Sequence, residues 1–136
     1  LFREIRDKRG LCYQVGSSYG PQRDHTPLLV YAVTSPKNRA EAVACTEAEI
    51  ERLKTEPVGE DELERVKTYV CGTYVMSLES NMGQASTYAS FEIHGLGWEF
   101  ANQYPGKVYT ITPETVMQTA QKYFTHRLLT ITTPEG

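Results

Sequence analysis

Arg6, Gly10 and Tyr13 are the residues of this sequence best placed to do chemistry. They lie in Ile5-Arg6-Asp7-Lys8-Arg9-Gly10-Leu11-Cys12-Tyr13. Residues 1–9 carry Leu1, Phe2 and Ile5 at helical spacing, with charged residues between them. Gly10 follows as a helix-ending residue. Arg6 therefore sits near the negative pole of a helix end, and Tyr13 falls just inside the strand that follows. A helix end, a tight glycine turn and a strand start can bring a guanidinium and a phenol onto one rim. Arginine supplies planar donors and tyrosine a hydroxyl donor. Together they can hold a carbonyl or a developing oxyanion. The plainer reading of the same residues is an exposed helix-end arginine and a half-buried strand tyrosine, and spacing alone leaves both open.

Other reactive groups are sparse. Cys12, Cys45 and Cys71 are far apart and show no C-x-x-C spacing, so they read as small apolar core residues. Basic neighbours could lower the Cys12 pKa, but no histidine lies near it in sequence, and core packing is the preferred role. His25, His94 and His126 share no helix face, and neither H-E-x-x-H nor H-x-x-E-H occurs. No metal site is expected in this chain. The 136 residues hold 14 basic and 17 acidic side chains, a net charge of −3. That balance argues against a dedicated nucleic-acid binder. Arg3, Arg6, Lys8 and Arg9 are interleaved with Glu4 and Asp7, which dilutes the one basic cluster. There is no apolar run of 18 residues, so no membrane span is expected. The start shows no signal-peptide pattern, and the compartment stays open.

The elements that must position Arg6 and Tyr13 follow from the patterning. Leu11–Tyr19 reads as a strand, residues 20–24 as a turn, and Leu28–Thr34 as a second strand covered on both faces. Ser35-Pro36 starts a helix with Val43, Ile50 and Leu53 on its buried stripe, ending before Pro57. Gly59-Glu60-Asp61-Glu62 starts a longer helix with the stripe Leu63, Val66, Val70, Tyr74 and Leu78. Gly72 inside it calls for close packing against a neighbour. Ser80-Asn81 is a break, and a helix follows to about His94, closed by Gly95. Trp98–Tyr104 reads as short helical turns stopped by Pro105. Thr112-Pro113-Glu114 starts a last helix with Val116, Ala120 and Tyr123, and Leu128–Thr132 reads as a final strand. Two adjacent strands with a short connection pair antiparallel, so the layout is α+β in one domain over 1–136.

The pattern L/I-R-x-x-x-G-L-x-Y, with Arg6 and Tyr13 seven apart, resembles one in the M16 metallopeptidases, which include pitrilysin, insulin-degrading enzyme and the mitochondrial processing peptidase. Pro57-Val58-Gly59-Glu60-Asp61-Glu62-Leu63-Glu64-Arg65-Val66-Lys67 is similar to the family's P-V-[TS]-x-E-E-L-x-R-A-K helix start, with Gly59 in place of the usual Thr or Ser cap. Ser77-Leu78-Glu79-Ser80 resembles its S-L-E-S/T stretch. Ile111-Thr112-Pro113-Glu114-Thr115-Val116 resembles its I-T-x-E-D-V. The four stretches run in the family's order.

The resemblance implies a LuxS/MPP-like metallohydrolase domain, an antiparallel sheet with helices packed on one face. It also implies a division of labour. One half of such a peptidase carries H-x-x-E-H, binds zinc and activates water. The opposite half contributes the arginine and tyrosine that contact substrate backbone. By this resemblance Arg6 and Tyr13 bind peptide, Gly10 is the turn between them, and zinc belongs to an H-x-x-E-H half on the same chain or a separate subunit. The alternative is an M16-like structural or partner subunit without activity. The chain opens at Leu1, without a methionine and inside a helical pattern. The expectation is therefore the later part of a C-terminal, non-zinc domain whose first strands lie upstream. An open sheet edge left by such a cut is expected to favour self-association.

Overall fold

The computed structural model describes residues 1–20 and 26–133. The expected turn at residues 20–24 and His25 fall mostly outside the described residues. The chain divides into two compact units, Leu1–Glu56 with Gln118–Gly136, and Pro57–Met117.

The first unit opens with a π-helical segment, Phe2–Asp7, in which the Lys8 N–H donates to the Arg3 carbonyl at 3.0 Å. Strands β1 (Gln14–Ser18) and β2 (Leu29–Val33) follow, paired antiparallel from Gln14 opposite Val33 to Ser18 opposite Leu29. A 3₁₀ turn at Pro36–Asn38 leads into α1 (Arg39–Thr55). Alternation along β1 puts Val15 on one face. There it joins a core of Ile5, Leu11, Cys12 and Ala42, with Leu1 and Cys45 packed against it. The π-helical segment and α1 thus cover the Val15 side of β1, the expected α+β layering. The other face is open: Leu29, Tyr31 and Val33 are exposed, so β2 is not covered on both faces. Among the described residues the sheet has two strands only, and neither outer edge is paired.

The stripe of α1 is turned from the expected one. Ala42 is buried, whereas Val43 and Ile50 are half-buried and Leu53 is exposed. The small side chains of Ala42 and Cys45 let the helix approach the core closely, and they outweigh the larger but more distant aliphatics. Residues 126–133 form no strand, and Leu128 is 92% exposed. β-Propensity alone does not make a strand. Among the described residues that segment pairs with neither outer edge of the sheet, although Arg127 forms an ion pair with Glu47.

The second unit is helical: α2 (Glu60–Ser77), α3 (Asn81–Ile93) and α4 (Phe100–Tyr109). α5 (Pro113–Tyr123) then carries the chain onward. Three acidic residues open α2 at the positive end of its dipole. Its buried seam is Leu63, Lys67 and Cys71, while Val66 is exposed. Lys67, only 7% exposed, donates to Glu64 at 2.7 Å and to the Tyr109 carbonyl at 3.3 Å. The Tyr109 carbonyl is at the C-terminal end of α4, where the helix dipole favours a cation. Gly72 meets nothing within 4 Å of where a Cβ would stand, so the expected close packing is absent. Gly83 is the glycine that sterics require. A Cβ there would lie 1.8 Å from the Ser77 carbonyl oxygen, at the corner between α2 and α3. Ser80 caps α3 by accepting from the Gly83 N–H at 3.0 Å. Thr112 caps α5 in the same way through the Thr115 N–H at 3.2 Å.

Pro105 does not stop α4; it lies inside the helix. Proline leaves the carbonyl four residues earlier without its donor. That carbonyl belongs to buried Ala101, and the Tyr74 hydroxyl of α2 donates to it at 2.8 Å. Burial, with Tyr88 and Tyr104 adding to it, raises the Tyr74 pKa, so the phenol stays a donor. Tyr74 also packs on Tyr104, their ring centres 4.5 Å apart. Tyr74→Phe is expected to cost about 1–2 kcal/mol by stranding a buried acceptor. In chemical denaturation of the full-length protein, adding Pro105→Ala should restore most of that loss, because alanine returns the missing N–H.

Candidate substrate-binding site

Arg6 and Tyr13 stand on either side of a backbone closure. The Gly10 N–H donates to the Arg6 carbonyl at 2.9 Å and the Leu11 N–H to the Ile5 carbonyl at 3.0 Å. Each bond spans one residue more than in the usual glycine-terminated α-helix, as suits a π-helical turn. Gly10 has φ of +61°, a conformation that costs a side-chain-bearing residue about 1–2 kcal/mol. Ile5 on one side of the closure, and Leu11 and Cys12 on the other, are buried and pull it onto the core.

The exit of the closure is held as firmly. The Leu11 carbonyl accepts from Thr34 Oγ1 at 2.5 Å and from Asn38 Nδ2 at 3.4 Å. The Tyr13 N–H donates to the Val33 carbonyl at 2.9 Å. Tyr13 therefore lies at the entrance of β1, not within it. Strict alternation would bury it beside Val15, but the chain bends at residue 13. Cys12 goes inward instead, and Tyr13 is 83% exposed. The half-buried strand tyrosine of the plainer reading is thus corrected.

Arg6 is exposed, and its Cζ lies 4.7 Å from the centre of the Phe2 ring. Among the described residues its side chain makes no hydrogen bond or ion pair. Of the segment's two carboxylates, Glu4 is engaged by Lys8, whose Nζ donates to Glu4 Oε1 at 2.6 Å. That bond, aided by the charges of Lys8, Arg3 and Arg52, holds the Glu4 carboxyl below its ordinary pKa against the opposing effect of desolvation.

This arrangement presents two donors, a guanidinium and a phenol, on a pinned backbone. It suits recognition of a peptide carbonyl and contains no acid–base pair. Among the described residues no group of three or more His, Cys, Asp or Glu side chains could hold a metal ion. A cavity of about 290 Å³ in the second unit is lined by apolar side chains of α2 and α4 with Lys67 and Lys107, and offers no carboxylate, thiol or imidazole. No helix among the described residues is long and apolar enough to cross a membrane. In the sequence Phe2 reads only as an apolar helix position and Thr34 only as a strand end, while Asn38 carries no signal. The four-residue step from Phe2 to Arg6 is visible there, but the two donors to the Leu11 carbonyl carry no local signature.

Comparison with known proteins agrees with the family resemblance. A sequence profile described as the peptidase M16 inactive domain matches residues 1–70, just over half of the chain. The chain belongs to the peptidase M16 family. It is 31% identical over 118 residues to an uncharacterized zinc protease of Rickettsia bellii, covering 87% of this chain and 26% of that protein. The zinc protease YmxG of Bacillus subtilis, also uncharacterized, is 27% identical over 93 residues, covering 68% and 23%. The chain thus spans about a quarter of the length of the curated relatives it matches. Among solved structures, the periplasmic protease PqqL of Escherichia coli superposes with a TM-score of 0.72 at 19% identity, over 92% of this chain and 14% of that one. A protease from Helicobacter pylori gives 0.72 at 21% identity, over 89% and 29%. At these identities the likeness is one of fold.

All three cysteines are free, with Cys12 and Cys71 buried and Cys45 half-buried. Burial raises the Cys12 pKa, and the charge of Arg6 only partly opposes it. A buried, protonated thiol is a poor nucleophile. Cys12 is expected to resist alkylation at neutral pH in the native protein and to react only on unfolding, as site-resolved mass spectrometry would measure.

Proposed function

We propose that this chain is the substrate-binding, non-zinc portion of an M16 zinc metalloendopeptidase, and that it forms the later part of that enzyme's C-terminal domain. The carrying observation is the pinned closure at Gly10, which presents an exposed arginine with unspent donors and an exposed tyrosine. In this reading Arg6 and Tyr13 donate to backbone carbonyls of the bound peptide near the scissile bond. A guanidinium and a phenol there orient the chain, and they gain strength as negative charge develops on the carbonyl oxygen. Activated water belongs to an H-x-x-E-H half, where zinc would be held. The M16 profile, the relatives named as zinc proteases and the lack of a metal-holding group among the described residues support this division of labour.

The test is made in the full-length protein. Arg6→Ala is expected to lower kcat/KM about 10- to 100-fold, the range of a lost charge-assisted hydrogen bond. Tyr13→Phe should lower it less, with zinc content unchanged in both. Unchanged kcat/KM in both variants would remove the assigned role. A full-length protein that binds no zinc and cleaves no peptide would instead fit the alternative, a structural or partner subunit.

We also propose that the chain in isolation self-associates through β2. The run Leu28–Thr34 has no charge and no proline, and both sheet edges are unpaired among the described residues. Light scattering should show dimers or larger species that Tyr31→Lys shifts towards monomer. Monomer alone at tens of micromolar would count against it.

A further inference from the structure

Phe2 and Arg6 form an unusual surface pair. The aromatic ring is 49% exposed on a segment whose Ile5 is fully buried, so Phe2 adds little to the core. The Arg6 guanidinium carbon stands 4.7 Å from its ring centre. Two i,i+4 pairs therefore run side by side along the segment. Glu4 with Lys8 satisfies a carboxylate, while Phe2 with Arg6 engages a guanidinium without using its hydrogen bonds.

We infer that Phe2 is a positioning residue for Arg6, a shelf that sets the guanidinium before peptide binds; this rests on the substrate-binding reading of Arg6. The face of an aromatic ring is electron-rich and attracts a cation. A guanidinium can meet it with its own flat face, which leaves the in-plane N–H groups for acceptors. A carboxylate partner would do the opposite: it would occupy those donors and compete with the peptide. Of the segment's two acids, Glu4 is taken up by Lys8, and Asp7 makes no ion pair with Arg6 among the described residues. An arginine free in solvent samples many rotamers and loses that freedom on binding. One already resting on a ring loses less. Phe2 thus acts through Arg6 and touches no reacting atom.

The experiment uses the full-length protein and four variants: Phe2→Leu, Phe2→Trp, Arg6→Ala, and Phe2→Leu with Arg6→Ala. Peptide hydrolysis and thermal midpoint are measured for each. Phe2→Leu keeps an apolar side chain but removes the ring. It is expected to lower kcat/KM about two- to fivefold, the range of an exposed cation–π contact, with the midpoint unmoved. Phe2→Trp should retain activity, since indole is the better shelf. In the Arg6→Ala background, Phe2→Leu should have no further effect. The inference falls if Arg6→Ala is impaired while Phe2→Leu is not. It falls equally if Phe2→Leu costs the same with and without Arg6, or if tryptophan does no better than leucine. An Arg6→Ala enzyme with full activity, or a full-length protein without hydrolysis, removes the role of Arg6 itself and the shelf with it.

Discussion

The Leu11 carbonyl is the point on which the first unit turns. It emerges from a glycine closure, where the helical ladder has ended and the sheet ladder has not begun. A carbonyl there, flanked by buried Leu11 and Cys12, is costly unless something donates to it. Thr34 and Asn38 do so, and both come from the stretch that follows β2. One acceptor thus ties the end of the π-helical segment to the exit of the sheet and the entrance of α1. Without that tie, the buried side chains around it would fix where the chain goes but not how it turns. The direction in which Arg6 and Tyr13 leave the backbone depends on the turn.

Much of this was legible in the residues. Gly10 marked the turn because an αL position calls for glycine. Thr112-Pro113 marked the last helix, and Ser80 the break before α3, because capping chemistry is local. The two strands and their antiparallel pairing followed from composition and a short connection. What escaped was tertiary. Pro105 reads as a stop because its own helix cannot satisfy Ala101; the Tyr74 hydroxyl that does so is 27 residues earlier. Tyr13 reads as half-buried because alternation is assumed to start at the turn, whereas a bend delays it. Leu128–Thr132 reads as a strand from composition, which says nothing of whether the segment is brought alongside a sheet edge.

The site was half legible. Arg6, Gly10 and Tyr13 could be picked out, and the family profile over residues 1–70 covers all three. Their surroundings could not. The i,i+4 steps from Phe2 to Arg6 and from Glu4 to Lys8 make neighbours on any helix, but nothing local says which of them engage, and the two donors on Leu11 come from 23 and 27 residues along the chain.

Lys67 has a consequence for how α2 and α4 fit together. An all-apolar seam can slide: leucine meets valine nearly as well one turn along. A cation in the seam removes that tolerance. If α4 shifted by a turn, about 5.4 Å, the Tyr109 carbonyl would leave the ammonium with Glu64 alone, a partner that is itself largely in solvent. A buried charge with half its partners missing is far worse than a mismatched methyl group. Lys67 therefore acts as a detent, setting the axial alignment of the two helices where hydrophobic contact alone would leave several alignments nearly equal in energy.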